Sequence, residues 1–498
     1  MNVVLISTYD LGHQPFGLSS PAAWLRERGH SVCCLDLSRE PLAESALRDA
    51  DLVAFYVPMH TATRLAAALV EPVRRIRPSA RLCFYGLYAP VNEQWLRRLG
   101  IETILGGEFE AGLVALADRL AASPENPTLM KSAAVGGYAG IEARAASPPA
   151  PAAATARVPE NKLLPGASAS SPQPEPVISL ARQRFLVPDR SGLVPLSCYA
   201  QIQLPDGSRR VAGYTEASRG CKHRCRHCPI VPVYEGVFRV VQPEVVLEDI
   251  RRQVRAGAEH ITFGDPDFFN GPRHALQIVR ALHAEFPALS YDVTIKVEHL
   301  LARRADLAVL RDTGCLFVTT AVESLDDAVL ARLDKGHTRA DFCELVRLAR
   351  DVGLVLHPTF IPFTPWTTPE GYADFLDRLA SLDLVENVAP VQLAIRMLVP
   401  AGSRLLELEE VRRILSPFDP SALVYPWRHP DRRVDSMQRE VEAIVMECQS
   451  RQASRPETFS LVHRAAHQAL GNSLALPRVE RPRVARAAIP YLTEPWYC

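Results

Sequence analysis

The stretch TEASRGCKHRCRHCPIVPVY, residues 215–234, brings three cysteines within eight positions. Cys221, Cys225 and Cys228 have the spacing C-x3-C-x2-C, with basic residues and histidines between them. Thiolates are ligands for zinc and for iron–sulfur clusters, so this spacing indicates a metal centre. The rest of the chain bears on which metal it holds, because a structural zinc ion takes four protein ligands and this stretch offers three thiols.

The composition is that of a large protein without a charge bias. The chain has 498 residues, of which 47% are hydrophobic, and its formal net charge is zero. This length predicts several folding units, and the neutral balance gives no reason to expect a nucleic-acid or membrane partner. We expect a cytoplasmic protein with reduced thiols, because the sequence shows neither a signal peptide nor a membrane-spanning run.

The first part of the chain, residues 1–121, alternates between short apolar strands and helices. Five β/α units predict a doubly wound α/β domain of the Rossmann type, with ligands at the carboxyl ends of the strands. Residues 122–178 are rich in Ala, Pro and Ser and predict a flexible linker. The five strand-like runs are VVLIS (3–7), SVCCLDL (31–37), LVAFYV (52–57), RLCFYG (81–86) and ETILGG (102–107).

Alternation resumes over residues 179–403, which contain the quoted stretch. Six β/α units predict a (β/α)6 partial TIM-like barrel, with the cysteines at the carboxyl-end mouth where such barrels carry out chemistry. Residues 404–498 predict a mostly helical C-terminal region. The later strand-like runs lie at 260–265, 291–297, 316–323, 354–363 and 388–399.

Two kinds of metal centre are open from the residues alone. A zinc ion would need a fourth ligand, and His223 or His227 could supply one, although tetrahedral closure within the loop would be cramped. A 4Fe–4S cluster on three thiolates would have one iron open to an exogenous ligand. The first alternative describes a metal-binding interaction protein and the second an enzyme.

The cysteine loop at the start of such a barrel resembles the radical S-adenosylmethionine (SAM) superfamily. The resemblance implies that Cys221, Cys225 and Cys228 bind a 4Fe–4S cluster whose open iron binds the amino and carboxylate groups of SAM. A reductant such as flavodoxin or ferredoxin would then drive cleavage of SAM into methionine and a 5′-deoxyadenosyl radical. The resemblance leaves the substrate undefined and assigns no residue to the later steps.

The same resemblance implies a set of residues around SAM. The substrate-pocket candidates are predicted instead from the segment around and after the fifth strand-like run, at the barrel mouth. His227 stands where the family usually has an aromatic residue before the third cysteine. The alternatives are an ordinary βα turn for residues 264–266, a helix cap for Glu323, a structural ion pair for Arg396 and packing at the barrel rim for the pocket residues. The SAM candidates are His227, Gly264, Asp265 and Pro266 in FGDPDFFNG (263–271), Glu323 in AVESLDDAVLARLDKGHT (321–338) and Arg396 in QLAIRMLVPAGSRLL (392–406); the substrate-pocket candidates are His357, Thr364 and Trp366.

A doubly wound domain ahead of this barrel resembles the cobalamin-binding class. The class usually carries D-x-H-x-x-G for a lower cobalt ligand, whereas DLGHQPFG (10–17) has D-x-x-H-x-x-x-G, so His13 is a tentative contact. Cobalamin as a second cofactor would imply methyl transfer to an unactivated carbon. Without it, the domain would keep the fold and bind another ligand or a partner. Further tentative contacts are Gly86 in GLYAP (86–90) and Gly107 and Glu108 in GGEFE (106–110).

Several stretches together resemble the bacterial radical SAM proteins named for a CUAEP or CCAEP tail. In that group the first tail cysteine is followed by Sec or Cys and then Ala-Glu-Pro. We therefore expect the native protein to extend four residues beyond Cys498. Cys498 would then be the first half of a Cys–Sec pair in a redox tail; the alternative is a frayed chain end with one idle thiol. The stretches are STYDLGHQPFGLSSPAAWLRERGH (7–30), EASRGCKHRCRHCPIVPVYEG (216–236), HITFGDPDFFNGP (260–272), FTPWTT (363–368) and EPWYC (494–498).

Overall fold

The structure, a computed structural model, describes residues 1–122, 174–472 and 486–494. Most of the predicted linker 122–178 and the predicted redox residue Cys498 lie outside these ranges. Within the described ranges, none of the helices combines the length and the apolar character that crossing a bilayer requires.

The front domain is the predicted doubly wound α/β sheet. Its parallel strands are β1 (Asn2–Ser7), β2 (Ser31–Asp36), β3 (Leu52–Tyr56), β4 (Arg81–Tyr85), β5 (Thr103–Gly107) and β6 (Ile178–Ser179). They lie in the order β2-β1-β3-β4-β5-β6, and apolar side chains pack against helices on both faces of the sheet. In such a sheet the ligand crevice lies beyond the carboxyl ends, where the strand order reverses around β1 and β3. The helices are Phe16–Glu27, Glu44–Arg48, His60–Ala68, Val70–Ile76, Tyr88–Val91, Glu93–Arg98 and Glu110–Ala121.

The sixth strand of this sheet, β6, is not predicted by the sequence. It pairs in parallel with Gly106 and Gly107 at the end of β5. Gly107 has a φ of +68°, and a Cβ there would lie 2.2 Å from the carbonyl oxygen of Ser179, so only glycine suits this position. The predicted boundary between linker and barrel, at residues 178 and 179, therefore falls within a strand of the front sheet.

The second sheet is the predicted half-barrel. Its strands are β7 (Gln201–Gln203), β8 (Arg209–Thr215), β11 (His260–Phe263), β12 (Ser290–Thr294), β13 (Cys315–Glu323), β14 (Leu356–Phe360) and β15 (Tyr491–Leu492). In the described chain β14-β13-β12-β11-β8 are parallel, and β7 and β15 continue the sheet as antiparallel strands. A separate antiparallel pair, β9 (Ser218–Gly220) and β10 (Phe238–Val240), flanks the cysteine loop. The main helices are Pro243–Arg255, Pro272–Glu285, Val297–Ala302, Leu307–Asp312, Asp327–Leu333, Arg339–Val352 and Pro369–Ser381.

The sixth barrel unit is shorter than predicted. The run 388–399 forms a 3-10 helix, Pro390–Leu393, and joins the barrel through one parallel bridge between Phe363 and Arg396. Pro390 lacks the N–H group that a central strand would need for its ladder. The half-barrel architecture is confirmed, with this segment in place of a full sixth strand.

The C-terminal region is mostly helical, as predicted, and packs directly on the barrel. Helices Arg432–Ser450 and Arg455–Ala469 contribute buried residues such as Val441 and Val462 to the same core as the barrel strands. Residues 486–494 then return to the sheet and form β15 beside β7. This return places the last described residues next to the barrel interior.

Candidate active site

The three cysteines lie on the loop between β9 and β10, directly after the first barrel strand. Gly220 precedes the loop with a φ of +73°, and a Cβ there would lie 2.4 Å from the Tyr234 ring, which excludes other residues. Cys221 and Cys225 are buried, Cys228 is partly buried, and all three are free thiols. The predicted position of the loop at the barrel mouth is confirmed.

The geometry around the loop bears on the choice between a cluster and a single zinc ion. Ligands of one tetrahedral zinc, each about 2.3 Å from the ion, lie about 3.8 Å apart. Among the described side chains, two groups of three bring their ligand atoms within 4.8 Å of one another, and the cysteines are neither of them. His223 points to Glu298 and His299, and His227 points to Glu323. Both loop histidines are therefore engaged with other side chains, so the loop offers three thiols and no free histidine as a fourth zinc ligand.

Two buried ammonium groups lie beside the thiols. Lys296 Nζ is 3.7 Å from Cys225 Sγ, and Lys335 is 2% exposed. Burial lowers the pKa of Lys335, but the Glu323 carboxylate and the sulfurs of Cys225 and Cys228 outweigh it and raise the pKa. Burial is the largest cause that raises the pKa of Cys228 to about 12; Cys225 and Cys221 add to the shift and Lys335 opposes it. Nearby cations favour thiolates, so the donor set fits a metal cluster that binds cysteine as thiolate.

Glu323 ends β13 in a left-handed conformation that non-glycine residues seldom adopt, with a φ of +68°. Its carboxylate accepts a hydrogen bond from Lys335 and lies 3.1 Å from Nε2 of His227. Burial raises the pKa of Glu323, but Lys335 and His227 outweigh it and lower the pKa to about 2. The following helix is capped by Asp326, which removes the helix-cap alternative for Glu323. Two of the predicted SAM residues, His227 and Glu323, are thus brought together.

The turn Gly264-Asp265-Pro266 follows β11. A Cβ on Gly264 would lie 1.8 Å from the hydroxyl oxygen of Tyr214, so the backbone approaches that ring too closely for any side chain. Asp265 accepts a hydrogen bond of 2.5 Å from the Ser218 hydroxyl and one of 2.9 Å from the backbone N–H of Ala217. Burial raises the pKa of Asp265 to about 7. Its side chain fixes the segment that leads into the cysteine loop.

Arg396 is placed away from this group. Its guanidinium donates to Asp435 at 2.8 Å and to the carbonyl oxygen of Trp427 at 2.9 Å, and it lies 3.6 Å from the centre of the Trp427 ring. These contacts form the structural ion pair that the sequence left open. Because the guanidinium is engaged, we leave Arg396 out of the proposed SAM site.

A cavity of about 550 Å³ lies between the front sheet and the half-barrel. This volume is typical of a small-molecule site. Its front wall comes from the loops after β1, β3, β4 and β5, and its back wall from inward-facing barrel residues. Further parts of the wall come from the cysteine-loop region, the segment 387–392, helix Arg432–Ser450, Arg455, Arg486 and residues 491–494. The barrel residues on the wall include Tyr214, Gly264, Asp265, Pro266, Thr262, Asp292, Thr294, Phe317, Thr319, His357 and Thr359.

Two of the four tentative cobalamin contacts, His13 and Gly107, line the cavity. The His13 ring packs 4.8 Å from the Tyr214 ring, and burial lowers the pKa of His13 to about 4, so the imidazole is neutral at pH 7. Gly86 lies behind the wall, where its Cβ position is 3.1 Å from the Tyr56 ring. Other front-domain residues on the wall are Asp10, Leu11, Tyr56, Pro58, Met59, Leu87 and Phe109.

The fourth tentative contact, Glu108, belongs to a buried charge network that joins the front domain to the barrel. Arg219 lies 3.3 Å from Glu108, 2.7 Å from Glu110 and 2.6 Å from Glu216. Burial raises the pKa of Glu108 to about 7, and Arg219 opposes that shift. The carboxylate of Glu108 therefore serves the contact between the domains.

Of the three predicted substrate-pocket residues, one lines the cavity. The His357 ring stacks on Phe317 with 4.1 Å between ring centres. Thr364 is buried and hydrogen-bonds Thr367, and Trp366 lies 5.5 Å from the guanidinium carbon of Arg332. We retain His357 as a substrate-pocket candidate and leave out the other two.

Sequence reasoning missed several charged residues of the site. Lys335 could have been noticed, because the chain has only five lysines among its 56 basic residues. Arg219 carries no such signal, since its acidic partners Glu108 and Glu110 lie more than a hundred residues earlier. Arg455 and Arg486 also reach the cavity, from the C-terminal region outside every motif.

Comparison with known proteins gives one family match. Residues 215–379 match the radical SAM superfamily. A curated relative, the tRNA-2-methylthio-N(6)-dimethylallyladenosine synthase of Desulfosudis oleivorans, is 29% identical over 195 residues, which cover 38% of this chain and 40% of that protein. The chain thus spans less than half the length of this relative.

Two solved structures share most of the fold. The radical SAM methyltransferase TsrM from Kitasatospora setae, with cobalamin and a [4Fe-4S] cluster bound, covers 77% of this chain and 70% of its own at 18% identity and a TM-score of 0.55. The cobalamin-dependent SAM radical enzyme OxsB, with aqua-cobalamin bound, covers 90% of this chain and 67% of its own at 14% identity and a TM-score of 0.61. At these identities the likeness is one of fold. Together with the cysteine loop and the family match, it identifies residues 215–379 as a radical SAM domain.

Proposed function

We propose that this protein is a radical SAM enzyme in which Cys221, Cys225 and Cys228 hold a 4Fe–4S cluster. The observation that carries the proposal is a loop of three thiols at the barrel mouth whose two histidines contact other side chains and so offer no fourth zinc ligand. When bound, such a cluster supplies the electron that splits SAM into methionine and a 5′-deoxyadenosyl radical. His227, Glu323 and the backbone of residues 264–266 are the proposed SAM contacts.

The protein's own part in this reaction is to hold charges in place and to exclude water. Lys335 and His227 keep the Glu323 carboxylate ionised and fixed at the end of β13. Lys296 keeps a positive charge beside the sulfur of Cys225. The front domain and the C-terminal region wall the barrel interior below them, and walls that limit the access of water protect a reactive radical from side reactions.

The test is metal analysis and SAM cleavage on anaerobically purified protein. We expect about four irons and four sulfides per chain, and 5′-deoxyadenosine after chemical reduction. Cys221→Ala, Cys225→Ala and Cys228→Ala should each lose SAM cleavage while the fold is retained, and Cys343→Ala, a helix cysteine outside the cavity wall, is the matched control. One zinc per chain, or cleavage by any of the three loop variants, would contradict the proposal and favour the zinc-binding interaction protein.

A second cofactor, cobalamin, is proposed for the front wall of the cavity. The observation that favours it is the position of this wall at the carboxyl ends of a doubly wound sheet, where such folds bind ligands. Pro58, Met59, Leu87 and Gly107 would contact the group. Cobalamin, when bound, supplies a methyl group for transfer to an unactivated carbon.

Titration with hydroxocobalamin, followed by absorbance, tests this second proposal. We expect stoichiometric binding that Leu87→Asp weakens. His13 packs against Tyr214, so the spectrum of the reduced cob(II)alamin form should lack nitrogen superhyperfine splitting and should not change in His13→Ala. Failure to bind would leave the front domain to another ligand or to a protein partner, and splitting that disappears in His13→Ala would show a histidine ligand.

Two further assignments complete the proposal. Radical SAM enzymes need an electron donor, and we propose a flavodoxin or ferredoxin. The test is to replace the chemical reductant with either protein.

We also propose that the chain belongs to the CUAEP/CCAEP-tail group, which the quoted motifs support. The codon after Cys498 tests this: a UGA followed by Ala-Glu-Pro codons supports it, and any other stop codon contradicts it.

A further inference from the structure

Arg455 is a buried cation on the cavity wall. It is 7% exposed, its guanidinium donates to the carbonyl oxygen of Glu386 at 2.6 Å, and it lies 5.1 Å from the centre of the Tyr491 ring. The Glu386 carboxylate itself accepts a hydrogen bond from the backbone of Ala488. No carboxylate of the described residues lies within ion-pair distance of Arg455. Buried charges in proteins are normally paired, because desolvation is otherwise uncompensated.

Its surroundings act on this charge in both directions: the Glu386 carboxylate favours it, whereas Arg486 and a helix N-terminus oppose it. Arg455 is the first residue of helix Arg455–Ala469, where the aligned peptide dipoles place positive partial charge. Arg486 adjoins it, since the backbone N–H of Arg455 donates to the Arg486 carbonyl oxygen at 2.9 Å. The Arg486 guanidinium donates to the carbonyl oxygen of Ala453 and has no ion pair within the described ranges. Two cations and a helix N-terminus therefore converge on one part of the cavity wall.

This part of the wall lies far from the cysteine loop. Burial lowers the pKa of His357, and Arg455 lowers it further, which places Arg455 near the ring that stacks on Phe317. Phe317 precedes Glu323 on β13 by six residues, or about 20 Å at the rise of a strand. The carboxylate of SAM is expected at the cysteine end, so it cannot serve as the anion for Arg455.

We propose that Arg455 and Arg486 bind a carboxylate or phosphate group of the substrate. The inference rests on the proposed function for the identity of the ligand as substrate. For the charge of the ligand it rests on two guanidinium groups that form no ion pair with the residues the structure describes. Gln449 also lines this cavity and carries a neutral side-chain amide that can donate a hydrogen bond. A substrate held by its anionic end would extend through the barrel interior toward the cysteine loop.

The test measures equilibrium binding without reductant, so it does not depend on SAM cleavage. The probes are 4-phenylbutyrate, its uncharged amide and phenyl phosphate, titrated calorimetrically into the full chain. We expect saturable binding of at least one anion and none of the amide; the preferred anion tells carboxylate from phosphate. Charge-assisted hydrogen bonds predict a loss of about tenfold or more in Arg455→Gln. Arg486→Gln should weaken binding in the same direction, which covers the case in which Arg455→Gln fails to fold.

Control variants separate this inference from the proposed function. Arg251→Gln, which removes an exposed arginine paired with Glu285, should bind the anion like the wild type. Cys221→Ala should lose SAM cleavage but keep anion binding. The inference is overturned if no anion binds saturably, if the amide binds as well as the acid, if both arginine variants bind normally, or if hydroxocobalamin displaces the anion.

Discussion

Replacing Arg219 with methionine should weaken the contact between the front domain and the barrel. The change keeps the length of the side chain but leaves Glu108, Glu110 and Glu216 buried without their cation. Removing one partner of a buried ion pair costs about 3–5 kcal/mol. We expect a loss of that size in the free energy of unfolding at pH 8. At pH 6 the loss should be smaller, because carboxyl groups with a raised pKa take up protons and no longer carry buried charge.

Thermal and urea unfolding, followed by circular dichroism and fluorescence, would measure this change. At about 2–4 °C per kcal/mol for domains of this size, the melting temperature at pH 8 should fall by about 6–20 °C. Two probes are needed, because a protein with two packed domains need not unfold in one step. The variant should also show earlier proteolysis between the domains.

The control for Arg219→Met is Arg251→Met. Arg251 forms an exposed pair with Glu285 at 2.7 Å, and such pairs contribute about 0–1 kcal/mol. If Arg219→Met and Arg251→Met lost equal stability at both pH values, the buried network would not hold the two domains together and the reasoning would be refuted.

Three further outcomes follow from the structure. Burial raises the pKa of Glu108 to about 7, so the stability that this group contributes is lost as pH rises from about 4.5 to 7. In urea titrations Glu108→Gln should therefore gain stability relative to the wild type over that pH range. Parallel pH profiles of the two proteins would contradict this. Gly264→Ala should weaken SAM binding at least tenfold in equilibrium dialysis, because a Cβ would lie 1.8 Å from the Tyr214 hydroxyl. The control is Gly271→Ala, which should not weaken binding, because Gly271 has a φ of −124° and a Cβ there would meet its nearest neighbours at 3.7 Å; equal affinities of the two variants would refute the close approach. A fragment of residues 1–121 should fold alone but exchange the Gly106 amide hydrogen faster than the full chain, since its partner, the carbonyl oxygen of Val177, is missing; equal exchange would show that β6 adds no protection.

The sequence was a good guide wherever a periodic pattern was long enough to read. Strands β1–β5 and the helix–strand alternation of the barrel follow from apolar runs of five or more residues. Strands β6 and β15 have two residues each and carry no periodicity, so only the folded chain shows them. The three-thiol loop was placed correctly because it directly follows a barrel strand.

Single side chains were harder to place than elements. Arg396 lies on a predicted strand, but its guanidinium donates to Asp435 on a later helix. No local sequence pattern predicts that pairing. Trp366 follows a barrel strand, yet it packs beside a small apolar cluster outside the cavity. Such outcomes depend on contacts between distant parts of the chain, which spacing along the sequence does not encode.

The pairing of β15 with β7 also sets an order of events during synthesis. The backbone N–H of Gln201 bonds the side chain of Thr493, a partner 292 residues later in the chain. At about 5–20 residues per second, a ribosome needs about 15–60 s to cover that distance. Throughout this interval the β7 edge has no neighbour, and an unpaired edge invites association with other chains. During the same interval residues 491–494 do not yet wall the barrel interior, so a cofactor could be loaded into it before translation ends.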